Sequence, residues 1–145
     1  MAAQRTAQAV WEGDLFHGHG TVQSTSGAFG ALPVSWSART EASGGKTSPE
    51  ELLAAAHAAC FSMALSNGLA KAQHPAQKLT VRATATFDKV GEGFKVTTSE
   101  IEVAGKVPGM SAAEFEAAAK AAGAGCPISG ALKGNVEIRV RATLE

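Results

Sequence analysis

The chain has 145 residues, with 13 Lys and Arg balanced by 13 Asp and Glu; 45% of it is apolar and only 18% charged. That length holds one ordinary domain, and the lack of a basic excess argues against nucleic acid as a partner, because displacing counterions from phosphates needs one. Soluble chains are usually about 25% charged, so the deficit predicts that a subunit interface covers part of the surface.

Residues 1–11, Met-Ala-Ala-Gln-Arg-Thr-Ala-Gln-Ala-Val-Trp, have neither the apolar core of a signal peptide nor the arginine excess of a transit peptide, which predicts a cytoplasmic protein. Gln4 to Glu12, Leu15 to Ser24 and Leu32 to Thr40 then have strand character. Gly13-Asp14 and Ser26-Gly27-Ala28-Phe29-Gly30 separate them, and connections this short favour antiparallel hairpins.

Leu52 to Ala70 is about as long as a bilayer span, but it is built mainly of alanine and contains His57, Ser62, Ser66, Asn67 and Gly68. It reads as a buried helix of a soluble protein, with no membrane as partner. Ser48 is a good N-cap, Pro49 suits the first helical position and Glu51 stands where a capping box needs an acid, so the helix should run from Pro49 to about Gln73–Pro75. Beyond it, Leu79, Val81, Ala83, Ala85 and Phe87 alternate with polar residues as in a half-buried strand. Phe94 and Val96 continue that pattern past the Gly91-Glu92-Gly93 turn, whereas Ile101 and Val103 resume it one residue out of phase, which predicts a bulge near Thr98 to Glu100.

Ser111 and Glu114 form the cap of a second helix that should stop at Gly123 or Gly125. Cys126 follows, Pro127 opens a short helix over Ile128 to Lys133, and Val136, Ile138, Val140, Ala142 and Leu144 form a last alternating strand. The order βββ-α-ββ-α-α-β describes a single α+β domain over residues 1–145, with antiparallel sheets around a long buried helix.

Two cysteines are too few for a secreted disulfide framework, so they serve packing or chemistry. Cys60 lies mid-helix, and Cys126 lies at the start of the short helix, where free N–H groups lower a thiol's pKa. Glu51 is used by the capping box, but Glu50 has no structural task beyond favouring the helix dipole. Ten residues of helix, about 15 Å, separate Glu50 from Cys60, so cooperation between them needs an intermediary or a second subunit. Arg39 closes the third strand, where it could fold back over the helix start; a guanidinium beside a thiol favours the thiolate, and a carboxylate fixes the guanidinium. His57 reads as a helix-interface residue and His17 and His19 as part of a turn. A zinc site on the cysteines and histidines lacks the usual ligand spacing.

Thr47-Ser48-Pro49-Glu50-Glu51-Leu52-Leu53-Ala54-Ala55-Ala56-His57-Ala58-Ala59-Cys60-Phe61-Ser62-Met63-Ala64-Leu65 closely resembles the central motif of the OsmC/Ohr family of osmotically inducible and organic-hydroperoxide-resistance peroxidases. Ala124-Gly125-Cys126-Pro127-Ile128-Ser129 resembles its second cysteine motif, and the likeness runs over nearly the whole chain. The position of Arg39 is similar to the OsmC branch, since no Gly-Gly-Arg motif stands near the N-terminus as in the Ohr branch. Ser48 replaces the more frequent Asn of the family with the N-cap function retained. The resemblance implies an intertwined homodimer with its long helices at the centre. It implies a cytoplasmic thiol peroxidase of stress defence with Cys60 peroxidatic, Cys126 resolving, and Arg39 and Glu50 as the activating pair. Organic hydroperoxide would be the favoured substrate over hydrogen peroxide. No metal or prosthetic group is expected; an external dithiol, a lipoylated protein or thioredoxin, would reduce the disulfide. Two other readings stay open, a non-enzymatic dithiol sensor or small-ligand binding protein, and a structural dimer with inert thiols.

Overall fold

A computed structural model describes all 145 residues. The chain falls into two compact units, Met1–Leu52 and Leu53–Glu145.

The first unit holds strands β1 (Ala7–Glu12), β2 (His19–Ser24) and β3 (Leu32–Val34), an antiparallel sheet in the order β1-β2-β3, followed by helix α1 (Trp36–Thr40). Two expectations are corrected here. Residues 13–18 form a loop rather than a tight two-residue turn, because the Asp14 carboxylate accepts the Phe16 and His17 amides at 2.9 Å each and ties the chain into a local knot. The third strand does not reach Thr40. It stops at Val34, and Ser35 caps α1 by accepting the Ala38 amide at 3.1 Å, so Arg39 sits in the last turn of a helix. The Thr47 amide then bonds the Pro33 carbonyl at 3.1 Å and brings the incoming chain to the start of α2 (Pro49–Lys71).

Helix α2 starts at the expected residue and crosses from the first unit into the second. Ser48 Oγ accepts the Glu51 amide at 3.1 Å, but the Glu51 carboxylate accepts the Thr47 hydroxyl at 2.8 Å, so its side chain serves the residue before the cap. By length and composition alone α2 is apolar enough to cross a membrane.

In the second unit β4 (Lys78–Val90) and β5 (Gly93–Lys106) form an antiparallel hairpin, α3 (Ala112–Gly125) and α4 (Pro127–Leu132) follow, and β6 (Glu137–Leu144) completes a sheet in the order β4-β5-β6. Here β6 lies parallel to β5, which corrects the expectation of antiparallel sheets throughout. The two helices between them form the kind of crossover that a parallel pair needs. The bulge is present: Thr86 pairs with Thr98 and Phe87 with Val96, leaving Thr97 as the extra residue. From there Ser99, Ile101 and Val103 point into the core. The capping box of α3 is complete, with Ser111 and Glu114 bonded in both directions.

The core joins Phe61, Leu65 and Leu69 of α2 to Ile101, Val103, Val107, Phe115, Ala119 and Ala122. A Cβ at Gly105 would run into the Phe115 ring, so only glycine lets that helix lie so close to β5. The second unit's part of α2 buries one stripe, His57, Phe61, Leu65 and Leu69, rather than its whole circumference as expected for a buried helix. Ala55, Ala56, Ala59, Ser66, Asn67 and Ala70 are exposed, and Met63 is 67% exposed.

Candidate active site

In the second unit Cys60 and Cys126 are free thiols with their Sγ atoms 2.8 Å apart, a distance that leaves no room for a third atom between them. Pro127 explains how Cys126 arrives there. A residue before proline is driven out of the helical region, and Cys126 accordingly adopts φ −69° and ψ 124°, ending α3 and opening α4 in one step. Cys126 is buried and Cys60 half-buried.

The two thiols differ in acidity. Burial pushes Cys60 above the ordinary thiol value, and its hydrogen bond to Cys126 and the charge there push it further, against a weaker bond from the Ile128 amide. Burial also opposes ionisation of Cys126. The neighbouring Cys60 thiol and the polar groups of Ser129 and Ile128 at the start of α4 outweigh it and hold Cys126 below the ordinary value. At that distance the ionisation of either thiol opposes ionisation of the other.

Behind the pair lies a polar chain that the sequence reading missed. His57 is fully buried, with Nδ1 2.7 Å from Ser99 Oγ and Nε2 2.8 Å from Ser129 Oγ. Ser99 and Ser129 are themselves buried. Burial lowers the His57 pKa, so the ring is neutral.

In the first unit Arg39 and Glu50 meet as expected. Arg39 Nε reaches both carboxylate oxygens at 3.0 and 3.1 Å, and one terminal nitrogen donates to Oε1 at 2.8 Å. The Glu50 side chain is 9% exposed and that of Arg39 30%. Glu50 thus has a task, which is to hold a guanidinium in one orientation.

A cavity of about 720 Å³ adjoins Cys60 in the second unit, with Met63, Ala64, Ala118, Ala121 and Pro127 in its apolar walls and Lys71 and Asn67 also on its lining. No three His, Cys, Asp or Glu side chains are grouped as a metal site requires, so the zinc reading has no ligand cluster to rest on.

The sequence model of the OsmC family, described as OsmC-like protein, matches residues 42–141, a span that includes Glu50 and both cysteines. The chain belongs to the OsmC family. It is 41% identical over 138 residues to peroxiredoxin OsmC of Escherichia coli strain K12, covering 95% of this chain and 96% of that one. It is 36% identical over 94 residues to the organic hydroperoxide resistance protein OhrA of Bacillus subtilis strain 168, covering 63% and 64% of the two chains. Among solved structures, an OsmC organic hydroperoxide resistance protein of Legionella pneumophila superposes with a TM-score of 0.74 at 26% identity, covering 98% of this chain and 99% of that one. The α+β architecture, with its two small sheets and its helices, is therefore that of the OsmC family.

Proposed function

We propose that this OsmC-family chain reduces organic hydroperoxides, and hydrogen peroxide more weakly, through a Cys60 sulfenic acid and a Cys60–Cys126 disulfide. The chain is a thiol-dependent peroxidase, in keeping with relatives named peroxiredoxin OsmC and organic hydroperoxide resistance protein. The observation that carries the finer reading is the 2.8 Å approach of the two free thiols.

The chemistry balances as follows. Cys60 loses its proton to solvent, and the Cys60 thiolate attacks the outer oxygen of the hydroperoxide. The O–O bond breaks, the alkoxide takes a proton to leave as alcohol, and Cys60 becomes sulfenic acid. Cys126 sulfur then attacks Cys60 sulfur, an S–S bond forms, the S–O bond breaks, and water leaves. An external dithiol, such as a lipoylated protein or thioredoxin, restores both thiols by exchange. Arg39, held by Glu50, supplies the cation that favours the Cys60 thiolate and polarises the peroxide. The apolar cavity beside Cys60 favours an organic substrate. No metal or prosthetic group takes part. The protein works in the cytoplasm, in defence against oxidative and osmotic stress, as a homodimer whose contact uses the exposed alanine-rich face of α2.

The test is consumption of cumene hydroperoxide and hydrogen peroxide by purified protein with dihydrolipoamide or thioredoxin. Repeated turnover that disappears in Cys60→Ser supports the reading; a single equivalent consumed per chain, with either reductant present, would make the dithiol a sensor instead. Mixing inactive Cys60→Ser and Glu50→Ala chains through unfolding and refolding tests whether two subunits share a site. Recovered activity in the heterodimer means that Glu50 of one chain serves Cys60 of the other.

A further inference from the structure

The cavity beside Cys60 carries one formal charge, to which the chemistry above gives no task. Of the residues around its volume of about 720 Å³, only Lys71 is ionic. Lys71 belongs to the last turn of α2, where any lysine favours the helix dipole. That preference explains the charge but not its position around the axis. Cys60, Ala64, Asn67 and Lys71 follow one another at intervals of four, three and four residues, so they fall on one stripe of α2, and all four line the cavity. Lys71 thus closes the cavity at the end away from Cys60, about 16 Å along the axis. That exceeds the screening length of about 8–10 Å in physiological salt, so its charge does little to the Cys60 thiol. Lys71 takes part in no ion pair of the chain, and the facing wall on α3, built of Ala118, Ala121 and Ala122, is apolar.

We propose that Lys71 is a specificity-determining residue of the peroxide site and selects hydroperoxides that carry a carboxylate at the far end of an apolar chain. The inference rests on the peroxidase reading above and narrows its substrate class to long-chain fatty acid hydroperoxides. A cavity with a reactive sulfur at one end, apolar walls and a single cation at the other end is complementary to a molecule that is reactive, apolar and anionic in the same order. Distance sets the length of that molecule. Helical side chains lean toward the N-terminus of their helix, so the ammonium lies between the levels of Lys71 and Asn67, roughly 10–16 Å along the axis from Cys60. An extended carbon chain advances about 1.2 Å per bond, as an extended polypeptide does, so the carboxylate stands roughly 8–13 bonds from the carbon that bears the peroxide. Oxidation of an unsaturated fatty acid in mid-chain gives that spacing, whereas cumene hydroperoxide has no second end to offer. Met63, flexible and polarisable, lets the wall follow a bent chain. The reduction is the one written above: the O–O bond breaks, the hydroxy acid leaves, and the carboxylate is unchanged.

The test supplies purified protein with linoleic acid hydroperoxide or its methyl ester, each below the concentration at which it aggregates, and with dihydrolipoamide as reductant. The readout is the acid-over-ester ratio of kcat/KM in wild type, Lys71→Arg, Lys71→Met and Lys71→Glu. Wild type and Lys71→Arg should favour the acid. The ratio should fall about fivefold in Lys71→Met, the upper range for an exposed ion pair, and further in Lys71→Glu, with the loss carried by the KM of the acid. A second arm needs no turnover: binding of the corresponding hydroxy acid, followed by isothermal titration calorimetry, should weaken in the same order. An unchanged ratio in Lys71→Glu with wild-type circular dichroism would overturn the proposal, and so would an unchanged affinity for the hydroxy acid. A wild-type protein that reduces neither substrate refutes the peroxidase reading, while the calorimetry still decides the role of Lys71.

Discussion

Replacing Cys126 by alanine should speed the first reaction of Cys60 and abolish the second. In the intact chain burial and the hydrogen bond with Cys126 across 2.8 Å raise the Cys60 pKa. Such a hydrogen bond is worth about 1 kcal/mol, and 1.4 kcal/mol is about a factor of ten in an ionisation equilibrium. Removing it therefore raises the Cys60 thiolate fraction at neutral pH by about fivefold. The gain in rate is smaller, because thiolate nucleophilicity falls as its pKa falls with a Brønsted slope of about 0.4–0.5, leaving a net acceleration of about twofold. The assay is iodoacetamide alkylation at pH 7 with the Cys60 peptide quantified by mass spectrometry. One equivalent of hydroperoxide should then leave the variant as sulfenic acid, and further equivalents should carry it to sulfinic acid. Cys60 alkylating no faster than in the wild type would refute this influence of Cys126 on Cys60. Sustained turnover by the variant would remove Cys126 from the resolving role.

Arg39→Ala should slow both alkylation of Cys60 and peroxide reduction, and Glu50→Gln should slow them less, because on this account Glu50 acts by orienting the guanidinium; stopped-flow peroxide consumption ranks the two. His57 adds a pH dependence to stability. Its pKa is depressed in the fold from the ordinary 6.5, so below that value the unfolded chain binds a proton that the folded chain does not, and stability falls as pH drops. The slope approaches about 1.4 kcal/mol per pH unit, and urea midpoints between pH 7 and 5 should flatten in His57→Gln. Gly105→Ala should cost about 1–3 kcal/mol by forcing its methyl against Phe115, read from the same urea titrations.

The legible parts of the fold were those set by neighbours in sequence. Pro49 after Ser48 marked the start of α2, Ser111 and Glu114 marked α3, and the phase slip between Val96 and Ile101 announced the bulge, though one to three residues beyond Thr97. Helix α1 was not legible, because Ser35 is followed by Trp36, Ser37 and Ala38 with no acid to complete a capping box, directly after a segment of strand residues. The parallel placement of β6 depends on how a two-helix crossover closes rather than on the strand's own alternation, which reads the same in either direction. The Arg39–Glu50 contact was expected from the family likeness and from the linker, but its geometry follows from α1. The two hydrogen bonds of His57 were invisible for a different reason. His57 stands alone among alanines, and its partners Ser99 and Ser129 lie 42 and 72 residues away in the chain. The bulge that turns Ser99 inward was the one available sign, and nothing in it pointed to a histidine.

The most direct test of the central claim is the intact mass of the reduced chain after one equivalent of cumene hydroperoxide in the absence of any dithiol. The account predicts a product lighter by two hydrogens, with tryptic mapping joining the Cys60 and Cys126 peptides, and return to the starting mass on adding dihydrolipoamide. A product heavier by one oxygen that persists with Cys126 still free, or an unchanged mass with the peroxide unconsumed, would contradict it.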